Sequence, residues 1–449
     1  MQSGANSYRS PDVSTTQALI KLIRGRTHTK ADLDAAALFV LDTLATAYAG
    51  SATATGQKFV DWAGGSNGGL HRDVLLMGAL AHITETDDLH RASVSHPACV
   101  VIPVALALGE ATHASGERIL RAILEGYEAM CRVGAALGPA HYRVWHNTAT
   151  AGPFGSAMTA ARLLDLDDEQ TLHALGNAGT QSSGFWEFMQ TGAMSKHLHA
   201  GRAAEAGLLA AELARSGITG APAILEGEKG LFAAMCPDPV PSAVLAAPDG
   251  EWQLRRSSIK PWPSCRHTHP IIDCALSLHH LIDAQSLREI HIETYQAAVN
   301  VCDRPLPDSE YQAKFSLYHC AAIALLDGAV GLDSFDDSAR ARTADLRAVT
   351  SVEVGQPFAE NYPGAWGSAL RVVDRHGNSE RAERLDCYGD PESPIDTAGM
   401  RTKARGLLSH AGVDDDSATM LCERILQLPD AAGQIGLFSD FLDATRAVR

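Results

Sequence analysis

Glu85-Thr86-Asp87-Asp88-Leu89-His90 leads through Ser95-His96-Pro97 into Ala98-Cys99-Val100-Val101-Ile102-Pro103-Val104-Ala105-Leu106-Ala107-Leu108. The second half is apolar without alternation and too long for an ordinary strand. It predicts a helix that is greasy on every side and therefore buried. Pro103 inside it predicts a kink, and Pro97 suits the first helical turn. His96 then sits where the unpaired N–H groups of that helix emerge. Three acids and two histidines crowd the loop ahead of it, and a polar loop at the positive end of a buried helix suits an anion.

Outward from this stretch the texture stays helical. Thr29-Lys30-Ala31-Asp32 resembles a capping box and opens a helix that ends near Gly50. Further helices are predicted over residues 74–81, 115–138, 149–164, 167–179 and 203–214, the last with Gly217 as its C′ residue. Gly64-x-Ser66-x-Gly68 matches the hydrolase nucleophile pattern literally. Nothing before it reads as a strand, so residues 51–69 are expected to form a flexible loop.

After residue 255 the period changes. Arg288-Glu289-Ile290-His291-Ile292-Glu293-Thr294-Tyr295 alternates as a half-buried strand does, and Thr350-Ser351-Val352-Glu353-Val354 is a second candidate. Leu370-Arg371-Val372-Val373-Asp374 and residues 381–385 flank Arg375-His376-Gly377-Asn378, a hairpin signal. The expected division is a helical part over 1–255, an α+β domain over 256–392 and a helical tail over 393–449.

The chain has 449 residues, ordinary hydrophobic content (45%) and a net charge of −16, which argues against nucleic-acid binding and against anionic membranes. Its nine cysteines, an odd number without C-x-x-C spacing, read as reduced thiols. With a polar N-terminus and no apolar run taken as long enough to span a bilayer, a cytoplasmic protein is expected. His197-x-His199, His267-x-His269 and the pair His90 and His96 lack metal-site spacing, so no metal is expected. Neither a Walker loop nor G-x-G-x-x-G occurs, so no nucleotide cofactor is expected. In Lys260-Pro261-Trp262-Pro263-Ser264-Cys265-Arg266-His267-Thr268-His269 two prolines fix an extended backbone beneath a concentration of cations, where a thiol ionises more easily.

Four stretches together resemble the MmgE/PrpD family: Glu85-Thr86-Asp87-Asp88 with His96-Pro97; Trp145-His146 before a small-residue helix; Lys196-x-x-His199-x-Gly201-x-Ala203-Ala204; and Lys260-Pro261-Trp262-Pro263-Ser264-Cys265 with His269. Lys314-Phe315-Ser316 and Leu325-Leu326-Asp327-Gly328 add to the match, which runs from about residue 15 to residue 430. The resemblance implies a mainly α fold: a large all-helical domain formed from both chain ends, with a smaller α+β lid domain inserted. It also implies a homodimer, a cofactor-free site between the domains and a small polycarboxylate substrate.

The resemblance matches His146, Lys196, Lys260 and His96 to family active-site positions and Glu85 to the family's acidic position. With these, catalysis is expected of His146, Lys196, Lys260, Cys265 and Glu85, and substrate binding of His96, Asp87, Asp88, His199, Arg266 and His269. Within that set, Lys196 and Lys260 would stabilise charge developing on a carboxylate, and His96 would bind a second carboxylate. His146 is the expected general acid or base, and Cys265 would face the substrate from the other side. The expected activity is a cofactor-independent lyase, 2-methylcitrate dehydratase-like. An iminodisuccinate epimerase-like isomerase is the alternative, because the Trp-Pro-Ser-Cys wording is closer to that branch. Cis-aconitate decarboxylation ranks lower, since that branch has Thr where this chain has Leu89 and His where it has Cys265. Glu85 stands where the family commonly has Asp, Ala98 where Ser is usual, and His197 where Pro is common. A non-catalytic dimeric polycarboxylate-binding protein is the alternative from another class.

Overall fold

The computed structural model describes residues 14–65, 69–433 and 435–447, so the Ser66 nucleophile pattern and most of the N-terminal polar stretch lie outside the described residues. The chain runs α1 (Thr15–Gly25), α2 (Lys30–Ala52), α3 (Ala54–Gly64), α4 (Gly69–Leu80), β1 (Leu89–His90), α5 (Ala98–Ala111), α6 (Gly116–Ala136), α7 (Asn147–Leu163), α8 (Asp168–Gly179) and α9 (Ser195–Arg215) before the α+β segment begins. The fold is mainly α, as the sequence predicts.

Local signals explain most boundaries. Thr29 and Asp32 cap α2 reciprocally, as Asp167 and Gln170 cap α8. Gly217 takes the left-handed conformation (φ 86°) that ends α9, two residues past its last turn. Helix α5 runs unbroken through Pro103, with every residue from Ala98 to Gly109 buried. Its first N–H groups are served from behind: the Ala98 N–H donates to Asp88 Oδ1 (3.0 Å), and Tyr127 Oη donates to Asp88 Oδ2 (2.9 Å).

Three expectations are corrected. Residues 54–64 form a helix, not a loop; small and polar residues conceal its buried Gly56, Val60 and Ala63. Helix α9 begins at Ser195 and not at the expected residue 203, so Lys196, His197 and His199 are helical. Helix α2, at 23 residues, is long and apolar enough to span a bilayer by length and composition, against the expectation that no run is. Its apolar window is 78% buried inside the protein, because α4, α6 and the C-terminal helices surround it. A helix apolar all round belongs in a core or a membrane, and this one lies in the core.

The small-residue helix α7 packs against α5, α6, α8 and α9, close enough that Gly152 faces Ala203 and Gly155 faces Met130. Helices α4 and α9 cross at Gly78 and Gly201, where a Cβ on Gly201 would lie 2.2 Å from the Leu75 carbonyl oxygen. Gly201→Ala is therefore expected to lower stability by about 1–3 kcal/mol through overpacking, outweighing the gain in helix propensity. A thermal melt checks this, and an unchanged midpoint would show that the crossing can relax.

Beyond β2 (Ser257–Ser258), a four-stranded sheet is formed by β3 (Leu287–Thr294), β4 (Thr350–Val354), β5 (Ser368–Asp374) and β6 (Ser379–Arg384). Its order is β4-β3-β5-β6, with β3 and β4 parallel and the other pairs antiparallel. Ile290 and Ile292 of β3 sit opposite Val372 and Leu370 of β5. These residues share a core with the helices His269–Leu278 and Leu317–Asp327. The other large core joins residues 19–259 to 395–442, so the tail helices Thr397–His410, Asp415–Leu426 and Leu437–Ala447 close the same body that the N-terminal helices open. Among the contacts that join the two parts is a seam where Leu89 pairs with Ser258 and His90 with Ser257. That seam fixes the opening acidic loop against the strand that leads directly into Lys260.

Candidate functional site

Five elements meet at the seam. The loop after α4 brings Glu85, and the turn before α5 brings His96. His146 is the N-cap residue of α7, and Lys196 is in the first turn of α9. The proline-fixed segment after β2 brings Lys260, Cys265 and Arg266 from the opposite side. Together they wall a cavity of about 320 Å³. Helix N-termini face this space from the α-helical side, which favours negative charge within it.

At the base of the cavity the charges interlock. Lys196 Nζ is paired with Glu85 Oε1, and Lys260 Nζ lies 3.6 Å from Glu85 Oε2 and 3.4 Å from Asp87 Oδ1. Burial alone would raise the Glu85 carboxyl, but Lys196 and Lys260 outweigh it and hold it below the ordinary carboxylate range. Burial likewise works against a charged Lys196, and Glu85 reverses that and raises its pKa. Glu85 also has φ 61°, a left-handed conformation that is unusual for a residue with a Cβ. The loop is bent so that this carboxylate reaches both lysines.

His146 is 2% exposed, and its backbone N–H donates to the Gly184 carbonyl (2.9 Å). Its ring packs on Trp186 (centroids 4.8 Å apart) and His199 (5.6 Å), and lies nearly parallel to His82 (5.7 Å). Nδ1 is buried without a hydrogen-bond partner. Burial, then the neighbouring His82 and Lys196, hold this imidazole well below the ordinary histidine value, so it is neutral at pH 7 and has a lone pair to offer. His96 donates Nδ1–H to the Asp88 carbonyl (2.5 Å), which leaves Nε2 as its remaining polar atom.

On the opposite wall the Cys265 N–H donates to the Lys314 carbonyl (2.9 Å). A hydrogen bond with the Cys302 thiol lowers the Cys265 pKa below that of an ordinary thiol. Arg266 is paired with the buried Asp390, which also accepts from Ser258 Oγ (2.6 Å). Arg266 Nη1 remains without a partner.

The residues predicted from sequence thus divide. Glu85, His96, His146 and Lys196 line the cavity from the helical side, and Lys260, Cys265 and Arg266 from the other. Asp87 lies one layer behind, accepting from His82 Nδ1 (2.5 Å). Asp88 caps α5. His199 backs the His146 ring and packs edge-on to Phe188. His269 is fully buried beneath the loop, with Nε2 3.3 Å from the Ser264 carbonyl.

Sequence reasoning missed His82 and Arg143. His82 is fully buried behind His146 and anchors Asp87. Its signal was faint: one histidine between Ala81 and Ile83, three residues ahead of Glu85. Arg143 is exposed at the cavity mouth, and among the described residues no carboxylate pairs with it.

Donor atoms of His82, Asp87 and His96 lie within 4.8 Å of one another, a spacing a divalent ion could use. Both histidines, however, engage Nδ1 in hydrogen bonds to Asp87 and to the Asp88 carbonyl. The Lys260 ammonium beside Asp87 would also repel a cation. This group is read as a hydrogen-bonded anchor and not as a metal centre.

Residues 23–243 match the MmgE/PrpD N-terminal domain and residues 262–427 the MmgE/PrpD C-terminal domain. The chain is 28% identical to the cis-aconitate decarboxylase of Homo sapiens over 73% of its own length and 70% of that protein's. It is 26% identical to the Mus musculus cis-aconitate decarboxylase, covering 79% and 75% of the two chains. Against the cis-aconitate decarboxylase of Aspergillus terreus it is 26% identical, covering 67% of each.

Proposed function

The chain belongs to the MmgE/PrpD family and is an enzyme of the lyase type; from that premise we propose that its cavity removes a proton α to a carboxylate of a small polycarboxylate without a cofactor. The observation that carries this is the placement of two buried ammonium groups and a buried neutral imidazole around one cavity. An α-proton is too weakly acidic to leave unaided, because the resulting enolate concentrates negative charge. Lys196 and Lys260 lower that barrier where their contact strengthens as the charge grows. His146 takes the proton, and Arg143 and His96 hold the substrate's remaining carboxylates. Loss of hydroxide from the adjacent carbon then completes a dehydration, as in a 2-methylcitrate dehydratase.

Two other readings are favoured by particular observations. Decarboxylation is the activity for which the relatives above are named. Yet Leu89 and Cys265, which replace the threonine and histidine of that branch, both line this cavity. An apolar side chain and a thiol in place of a hydroxyl and an imidazole alter what the wall can donate. Epimerisation follows if Cys265 exchanges a proton on the face opposite His146.

Proton NMR in deuterated water with a panel of tricarboxylates and substituted succinates separates the three. Dehydration of a 2-methylcitrate-type substrate is expected to remove the α-proton signal and collapse the adjacent methyl doublet to an allylic singlet, and decarboxylation to give new terminal vinyl protons as carbon dioxide leaves. Solvent exchange without an unsaturated product, abolished in Cys265→Ser, would establish epimerisation instead. No exchange across the panel would refute the substrate class and favour a polycarboxylate-binding protein. A homodimer is proposed on the apolar surface made by Trp62, Met194 and Leu198, which sedimentation equilibrium would test.

A further inference from the structure

The cavity lysines are not free to receive a ligand. Glu85 bridges them, with one oxygen on Lys196 and the other facing Lys260, which is the way a substrate carboxylate would be held. The bridge depends on side-chain length and on a backbone bent into φ 61°. Asp87 occupies the far side of Lys260 but does not line the cavity.

Resting on the polycarboxylate reading above, we propose that Glu85 is a built-in stand-in for the substrate's carboxylate: it holds Lys196 and Lys260 in the free protein, yields them when the substrate binds, and takes up a proton as it does so.

The argument is one of charge. Counting the ion pairs at this site, Glu85 and Asp87 already balance Lys196 and Lys260, and Asp390 balances Arg266. A ligand carboxylate brought onto the same lysines would place two anions side by side in a buried space. Like charges at that range cannot both persist away from water, so one must be neutralised. Asp87 keeps its hydrogen bond from His82 and its contact with Lys260, whereas Glu85 loses the partners that keep it ionised.

The other groups facing Glu85 do not change this outcome. His82 and His197 are buried and held below the ordinary histidine value, to about 4 and about 3. Tyr142 and Tyr311 are pushed by burial above the ordinary phenol value, and Cys265 supplies no positive charge. The step moves one proton from solvent to a Glu85 oxygen and breaks no covalent bond. It leaves a neutral carboxyl beside the reacting atoms, placed to donate to a leaving hydroxyl.

Calorimetric titration of the full-length protein with propane-1,2,3-tricarboxylate, which carries no leaving hydroxyl, tests this in buffers of different ionisation enthalpy. Binding is expected to take up about one proton per site, with affinity falling about tenfold per pH unit as pH rises. In Glu85→Gln the uptake should vanish and the pH slope flatten. If that variant does not fold, an infrared difference spectrum of the wild-type protein should still show a protonated carboxyl stretch appearing on binding. Binding without proton uptake would overturn the proposal, and so would uptake unchanged in Glu85→Gln, which would place the proton on another group. No binding at all would refute the polycarboxylate reading itself, and the proposal with it.

Discussion

His146→Ala is expected to lower turnover by ~10² to 10⁴-fold while leaving tricarboxylate binding within a few-fold of the wild-type value, because a general base contributes to proton transfer and not to holding carboxylates. The variant should fold. His146 caps α7 through its backbone and makes no side-chain cap bond, so alanine leaves the helix start unchanged. Its buried Nδ1 has no partner, so deletion also removes an unsatisfied polar atom, which offsets part of the lost packing on Trp186. The pH profile supplies a second readout. Burial and the neighbouring His82 and Lys196 hold the imidazole well below its ordinary value, so it stays unprotonated down to low pH. The acidic limb of kcat/KM should therefore lie below the ordinary histidine range, activity falling as pH drops through that depressed pKa. The alanine variant should lack that limb. Full turnover in the variant, or a limb that persists in it, would assign the proton transfer elsewhere, with Cys265 the first group to test.

The convergence of His96, His146, Lys196 and Lys260 was legible because each stands in a short motif that the family resemblance matched. His96 precedes Pro97, Lys260 precedes Pro261, and His146 and Lys196 open helices with a strong small-residue texture. What one chain could not reveal is which polar residues face inward to serve the backbone. Asp88 looks like Asp87 in sequence, yet it satisfies the Ala98 N–H at the start of α5 and accepts from Tyr127, while Asp87 steadies Lys260. His269, two residues from His267, lies under the loop and never reaches the cavity. His82 was missed for the converse reason, since a histidine between apolar neighbours gives no periodic signal until Asp87 folds back on it. Among the elements, strands with strict alternation such as β3 were readable. Helix α3 was not, because glycine, threonine and alanine weaken the helical pattern that its few buried residues carry.

Lys260→Met separates the chemical from the structural share of the buried charges. Lys260 is 1% exposed and has two carboxylates within reach, at 3.4 and 3.6 Å. If it stabilises the developing enolate, removing its charge should lower turnover by about 10² to 10³-fold, the size found for losing one preorganised donor. The same change leaves Asp87 buried with only histidine partners, and an uncompensated buried charge costs about 3 kcal/mol or more. Burial alone would raise the Asp87 carboxyl; His82, His96 and Lys260 together hold it well below the ordinary value. A carboxyl depressed in this way adds stability above its unfolded pKa and loses it as pH falls through the folded one. Lys260→Met should therefore be least stable relative to wild type near neutral pH, with the gap closing on acidification. Adding Asp87→Asn to Lys260→Met should restore most of the lost stability without restoring turnover. If the double variant recovered activity as well, Lys260 would be there for Asp87 alone and Lys196 would carry the enolate unaided. Recovery of stability alone would place Lys260 on the reacting carboxylate, with Asp87 as the counter-charge that holds its ammonium in place.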